Sequence, residues 1–115
     1  MSTGSFLIAL TPVQGLFLRY MLEAPDVLWN EDLPHDQEAF EKRAFALATE
    51  VSQGGVQLAS DLDREIIYLA ATESTYMADA GSEEPIVKAR LSKVAQALEQ
   101  KLSAALGREV NIPRG

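Results

Sequence analysis

The chain has 115 residues, 47% of them hydrophobic and 23% charged, which is the size and balance of one globular domain with one core. It contains no cysteine, which excludes disulfides, thiolate zinc sites and cysteine nucleophiles, and which fits a reducing, cytoplasmic setting. The formal charge of −7 is unevenly spread: residues 1–85 carry 15 acidic and 4 basic side chains, a balance of −11, and residues 86–115 carry 2 and 6, a balance of +4.

Residues 2–10, STGSFLIAL, are too short and too uniformly apolar to assign by period, and are read either as an extended arm or as a lead-in to a helix. No basic region precedes this run, and Pro12, Gln14 and Arg19 interrupt Ser5 to Leu22. Neither a signal peptide nor a membrane span is therefore expected. Thr11-Pro12-Val13-Gln14 predicts a helix start, with Thr11 as N-cap, Pro12 in the first helical position and Gln14 completing a capping box. This first helix should run to about Ala24. Val13, Leu16, Phe17, Leu18, Tyr20, Met21 and Leu22 cover nearly its whole circumference, which predicts a place at the centre of a bundle or, as the alternative, at an oligomer interface.

Pro25-Asp26 ends that helix, and a loop follows with the only tryptophan, Trp29, and the only histidine, His35. Trp29 is expected to cover the core edge, with an interface anchor as the sharper reading. Asp32, His35, Asp36 and Glu38 offer one imidazole among carboxylates without the spacing of a metal site, so no metal is expected. The second helix should span Asp36 to Gln53 and end at Gly54-Gly55. Phe40, Ala44, Leu47 and Val51 form its core stripe, whereas Phe45 falls on the other side near Glu41 and Ser52.

The third helix should begin near Ser60, capped by that residue with Asp63 at its third position, or as early as Val56, and should end before Gly81. Leu62, Ile66, Leu69 and Met77 define one apolar face, and Ile67, Ala71 and Ala78 a smaller one. Glu73 projects onto the first face, which predicts a buried carboxylate that needs a partner. The last helix is expected from Ser82 as N-cap, through Glu83, Glu84 and Pro85, to a close at Gly107. Its length of about 22 residues spans roughly 33 Å. Val87, Leu91, Val94, Ala95, Leu98, Leu102 and Ala105 share one stripe. Arg90, Lys93 and Lys101 line an edge, and pairing them with acids from the second and third helices fits better than nucleic-acid binding, since no aromatics are interleaved. The terminal REVNIPRG lacks a helical period, so Val110, Ile112 and Pro113 are expected in an extended tail that docks on the body or on a partner.

These elements predict an all-α fold: a single compact bundle of four main helices with a long amphipathic C-terminal helix and a short extended tail. The known motifs of chemistry are missing. Asp61-Leu-Asp63-Arg-Glu65 resembles the opening of a calcium loop, but Ile66 and Thr72 stand where the loop needs glycine and glutamate. No phosphate loop, dinucleotide fingerprint, zinc-protease helix or nucleophile elbow occurs. A non-enzymatic protein without cofactor is expected, working by contact with other proteins. An acidic surface favours a basic partner protein or nucleoprotein complex and disfavours direct contact with nucleic acid or membrane.

Asp61, Asp63, Glu65, Glu83 and Glu84, alongside Asp32, Asp36, Glu38 and Glu41, are the candidate contact residues, with Trp29 and Phe45 as aromatic anchors. The carboxylates would imitate nucleic-acid phosphates in a basic groove. In size, acidity and missing motifs the chain is similar to small inhibitors encoded by phages and mobile elements, anti-CRISPR proteins among them, which by analogy implies an inhibitor or regulator. The alternative is a self-associating bundle, a homodimer through the first and last helices. Exposed apolar area on the first helix would favour the dimer, and a continuous acidic surface the inhibitor.

Overall fold

A computed structural model gives the fold and describes residues 6–23, 29, 31, 36–51, 54–73 and 85–112. In chain order the elements are β1 (Phe6–Ala9), α1 (Pro12–Leu22), α2 (Gln37–Val51), β2 (Gly55–Leu58), α3 (Asp61–Thr72) and α4 (Pro85–Leu106). The protein is mostly helical, as its periodicity predicts, but it is not all-α. β1 and β2 pair antiparallel, Phe6 opposite Leu58 and Ala9 opposite Gly55. The early start of the third helix at Val56 is thus overturned. Gly54, with φ 102, turns the chain after α2, and in β2 Val56 and Leu58 enter the core while Gln57 faces outward. A period of two in four residues is too short to stand out in a sequence.

The helix starts are set locally. Thr11 accepts from the Gln14 N–H at 3.2 Å while the Gln14 side chain accepts from the Thr11 N–H at 3.1 Å, the reciprocal capping box. Asp36 accepts from the Ala39 N–H at the start of α2, and Ser60 from the Asp63 N–H at the start of α3. Gly107, with φ 70, closes α4 in the left-handed conformation that side chains disfavour.

One core joins all six elements. The stripe Phe40, Ala44, Leu47 and Val51 of α2 is buried, as are Ala95, Leu98 and Leu102 of α4, with Leu91, Val94 and Ala105 at its margin. α1 touches all three other helices and buries Phe17, Leu18, Met21 and Leu22, so the central placement holds. It is not covered all round, however: Val13, Leu16 and Tyr20 lie exposed. α1 crosses α2 at Gly15, where an added Cβ would stand 2.5 Å from the Val51 carbonyl oxygen. Gly15→Ala is therefore expected to push the helices apart and to cost about 1–3 kcal/mol. A thermal melt checks this, and an unchanged midpoint would mean a looser crossing.

After Gly107 the chain turns back along α4. Val110 and Ile112 are buried, the Val110 N–H donates to Ser103 Oγ at 2.9 Å, and the Ile112 N–H donates to Glu99 Oε2 at 2.6 Å. Arg108 stacks 3.4 Å from the Tyr68 ring centroid and lies 3.5 Å from Glu65. The tail docks on the body, one of the two expected outcomes.

Two carboxylates differ from expectation. Glu73 is exposed, because α3 ends at Thr72 and Glu73 is its C-cap, beyond the last residue to which helical spacing applies. Asp63 is the buried one, its side chain 1% exposed, and it accepts from Arg43 Nε at 2.5 Å, Arg43 Nη2 at 3.0 Å and the Ala59 N–H at 2.8 Å. Burial pushes this carboxyl up, but the hydrogen bonds from Arg43 and the Ala59 N–H outweigh it and hold Asp63 below its ordinary 3.8. A depressed folded value stabilises the protein above the unfolded one, and that contribution is lost as pH falls through the folded value. Wild type should therefore lose stability from about pH 4 downward. Asp63→Asn should start less stable and show a flatter acid limb in thermal melts taken from pH 6 to 2; parallel limbs would contradict the assignment.

Candidate partner-binding site

α2 has two faces of opposite character. Its core stripe leaves Glu38, Glu41 and Phe45 together on the far side, spaced three and four residues apart and so one above another. Phe45 is 61% exposed, although an aromatic ring is among the larger apolar surfaces a helix can bury. With Asp36, Gln37 and Lys42 these residues line an open groove of about 680 Å³. Three carboxylates against one ammonium give the groove a negative balance around a single exposed ring. Thr49 Oγ1 donates to the Phe45 carbonyl at 3.2 Å one turn further on.

Four of the eleven expected contact residues are brought together here: Asp36, Glu38, Glu41 and Phe45. The others are elsewhere. Asp61 is exposed on α3 and lies 3.2 Å from Arg64, while Glu65 is engaged by Arg108. Asp63 belongs to the interior, where its pairing with Arg43 ties α3 to α2, so a place on a contact surface does not fit it. Trp29 is half-buried against the core, as a cover for its edge. Asp32, His35, Glu83 and Glu84, like Ser82, Met77, Ala78, Pro113 and the side chain of Val87, lie outside the described residues.

Arg43 is the influential residue that periodicity alone passes over. It stands three residues after Phe40 and four before Leu47, at the margin of the core stripe, where a cation needs a buried partner. Its hydrogen bond to Asp63 raises its pKa further above the usual range, and Glu50 adds to this from 3.4 Å. Lys101 also departs from expectation. Its ammonium donates to the Ala9 carbonyl and to Gln14 Oε1, both at 2.7 Å, instead of pairing with an acid of the second or third helix.

Among the described residues there is no group of three or more histidine, aspartate or glutamate side chains placed to hold a metal ion. No described helix is long and apolar enough to cross a membrane. No family model, curated protein or solved structure matches this chain.

Proposed function

We propose that this protein is a non-enzymatic interaction module that docks the outer face of α2 on a basic surface of a larger partner and acts as its inhibitor or regulator. The observation that supports this reading is the exposed Phe45 ring set among Asp36, Glu38 and Glu41, on the side of α2 opposite its buried stripe. An aromatic ring in the middle of such a face supplies affinity by desolvation, and the surrounding carboxylates steer a cationic surface onto it. A nucleic-acid-binding groove is the kind of basic surface such a face would occupy, with the carboxylates in the place of phosphates.

The test is affinity capture from the source organism's lysate, with nuclease present, using wild type, Phe45→Ala and Glu38→Lys/Glu41→Lys. Wild type should retain a basic protein that elutes as salt rises. Phe45→Ala should weaken capture by about tenfold or more at an unchanged thermal midpoint. The double variant should abolish it with only a small fall in midpoint, since these side chains are outside the core but Glu38 is an acid in the first turn of α2. A partner held equally by all three proteins would refute the assignment to α2, and one lost on nuclease treatment would mean bridging by nucleic acid.

The exposed stripe on α1 supports a second reading. Val13, Leu16 and Tyr20 are 56%, 52% and 47% exposed and stand three and four residues apart. A twofold contact of α1 with α1 of a second copy would cover them. Sedimentation equilibrium decides this: wild type should dimerise with rising concentration and Leu16→Glu should not, whereas a wild type monomeric throughout would remove the dimer.

A further inference from the structure

The edge of β1 that faces away from β2 adjoins a groove of about 490 Å³ lined by Leu7, Ile8, Ala9, Lys101, Ala104 and Ala105. The Leu10 N–H donates to the Gly54 carbonyl at 3.0 Å and continues the β1–β2 register. In an antiparallel ladder bonded and non-bonded rungs alternate, so the bonded rungs are those of Leu10, Ile8 and Phe6. The main-chain groups of Leu7 and Ala9 therefore point outward, toward the groove. The Ala9 carbonyl is met there by Lys101; the Leu7 N–H, the Leu7 carbonyl and the Ala9 N–H have no partner among the described residues. Leu7 itself is 66% exposed.

Lys101 sits at the Ala9 end of this groove, half-buried, and its two acceptors are both neutral. Among the described residues it makes no ion pair, in a protein whose net charge is −7. An ammonium has three donors, and the described residues take two of them. An edge strand whose outward main-chain groups meet no partner among the described residues, an apolar wall and a positive charge at one end suit a peptide that ends there in a carboxylate.

We propose that this groove takes the C-terminal end of an extended apolar peptide, added as a strand parallel to β1 with its carboxylate on Lys101. In the parallel direction one peptide residue donates its N–H to the Leu7 carbonyl and accepts from the Ala9 N–H. The following residue reaches the level of Lys101 and ends the chain. The residue opposite Ile8 lies against Ala104 and Ala105, so it is apolar and small or medium in size. An antiparallel strand would bring the N-terminal side of the peptide to Lys101, and a terminal ammonium there is repelled. The groove shares no residue with the outer face of α2, so the two assignments stand or fall separately.

The experiment uses the full chain and two peptide arrays, random hexapeptides with an apolar penultimate residue and a free C-terminus, and the same sequences amidated. Binding is read by fluorescence, and the best sequences are then measured by fluorescence polarisation. Binders should occur among the free acids and weaken about tenfold or more on amidation, since a charge-assisted bond is lost. Lys101→Met should remove the difference between acid and amide, and Ala104→Trp, at an exposed position, should fill the groove and abolish binding at an unchanged thermal midpoint. Amide resonances of Leu7 and Ala9 should shift with peptide in wild type. Equal binding of acids and amides, no binders in either array to folded protein, or self-association that Ala104→Trp abolishes would each overturn the proposal, the last in favour of a second copy at the same edge.

Discussion

Leu98→Asp is expected to leave the domain unfolded at room temperature. Leu98 is 0% exposed, on the stripe of α4 that also buries Ala95 and Leu102. The substitution removes about 1.5–3 kcal/mol of leucine burial. It also places an unpaired carboxyl among apolar side chains, which costs several kcal/mol more even when the group takes up a proton. A domain of this size has about 5–15 kcal/mol in total. Far-UV circular dichroism checks the result, with Leu98→Met as the control that keeps the volume and costs less than about 1.5 kcal/mol. A cooperative melt with a normal midpoint for the aspartate variant would mean that α4 turns a different face to the core.

The second large effect separates two acids only two positions apart. Asp63→Lys places a cation against Arg43 in a site where the native side chain is 1% exposed, and loses the bond to the Ala59 N–H as well. Breaking a buried pair costs about 3–5 kcal/mol; Arg43 is partly exposed and keeps Glu50 nearby, which sets the lower part of that range for the lost pairing, before the added repulsion. The thermal midpoint should fall by roughly 10 °C or more. Asp61→Lys changes a side chain that is 90% exposed and should cost less than about 1 kcal/mol, the small loss of an acid near a helix start. Similar melts for the two variants would show that the Arg43–Asp63 pairing contributes little.

The helices were legible because each is marked by a cap, by a stripe or by both, although the end of the third, at Thr72, was not. Thr11-Pro12, Ser60 and Gly107 act as their types predict, and the stripes of α2 and α4 are the buried ones. β1 and β2 were not legible as a pair. Their contact joins residues about fifty positions apart, and neither strand is long enough to show alternation. Asp63 misled for a different reason. As the third residue of α3 it suited the capping pattern, which suggests an exposed acid, yet it also lies three, four and seven residues before Ile66, Ile67 and Ala70, all of them buried. That spacing points inward, and Arg43 at the margin of the α2 stripe is the complementary signal. Glu73 shows the converse error, a stripe counted past the end of its helix. For the partner face, the position of Phe45 opposite the core stripe was readable from spacing alone. The acids around it, Asp36, Glu38 and Glu41, belong to α2 and its start, so spacing along one helix also places them. That Asp61, Asp63 and Glu65 of α3 stay apart from this face is what only the fold supplies.

The Lys101–Ala9 contact and the burial of Ile112 also bear on synthesis. Residue 9 leaves the ribosome long before residue 101, at translation rates of about 5–20 residues per second, so for several seconds β1 and α1 exist without the helix that completes their core. Throughout that interval α1 lacks the α4 that it packs against in the finished domain, and the edge of β1 that Lys101 later meets is free to pair with a neighbouring nascent chain. Closure waits for the last turn of α4 and the tail behind it. Soluble yield should therefore respond to chaperone supply and to translation speed more strongly than the equilibrium stability of the finished domain would suggest.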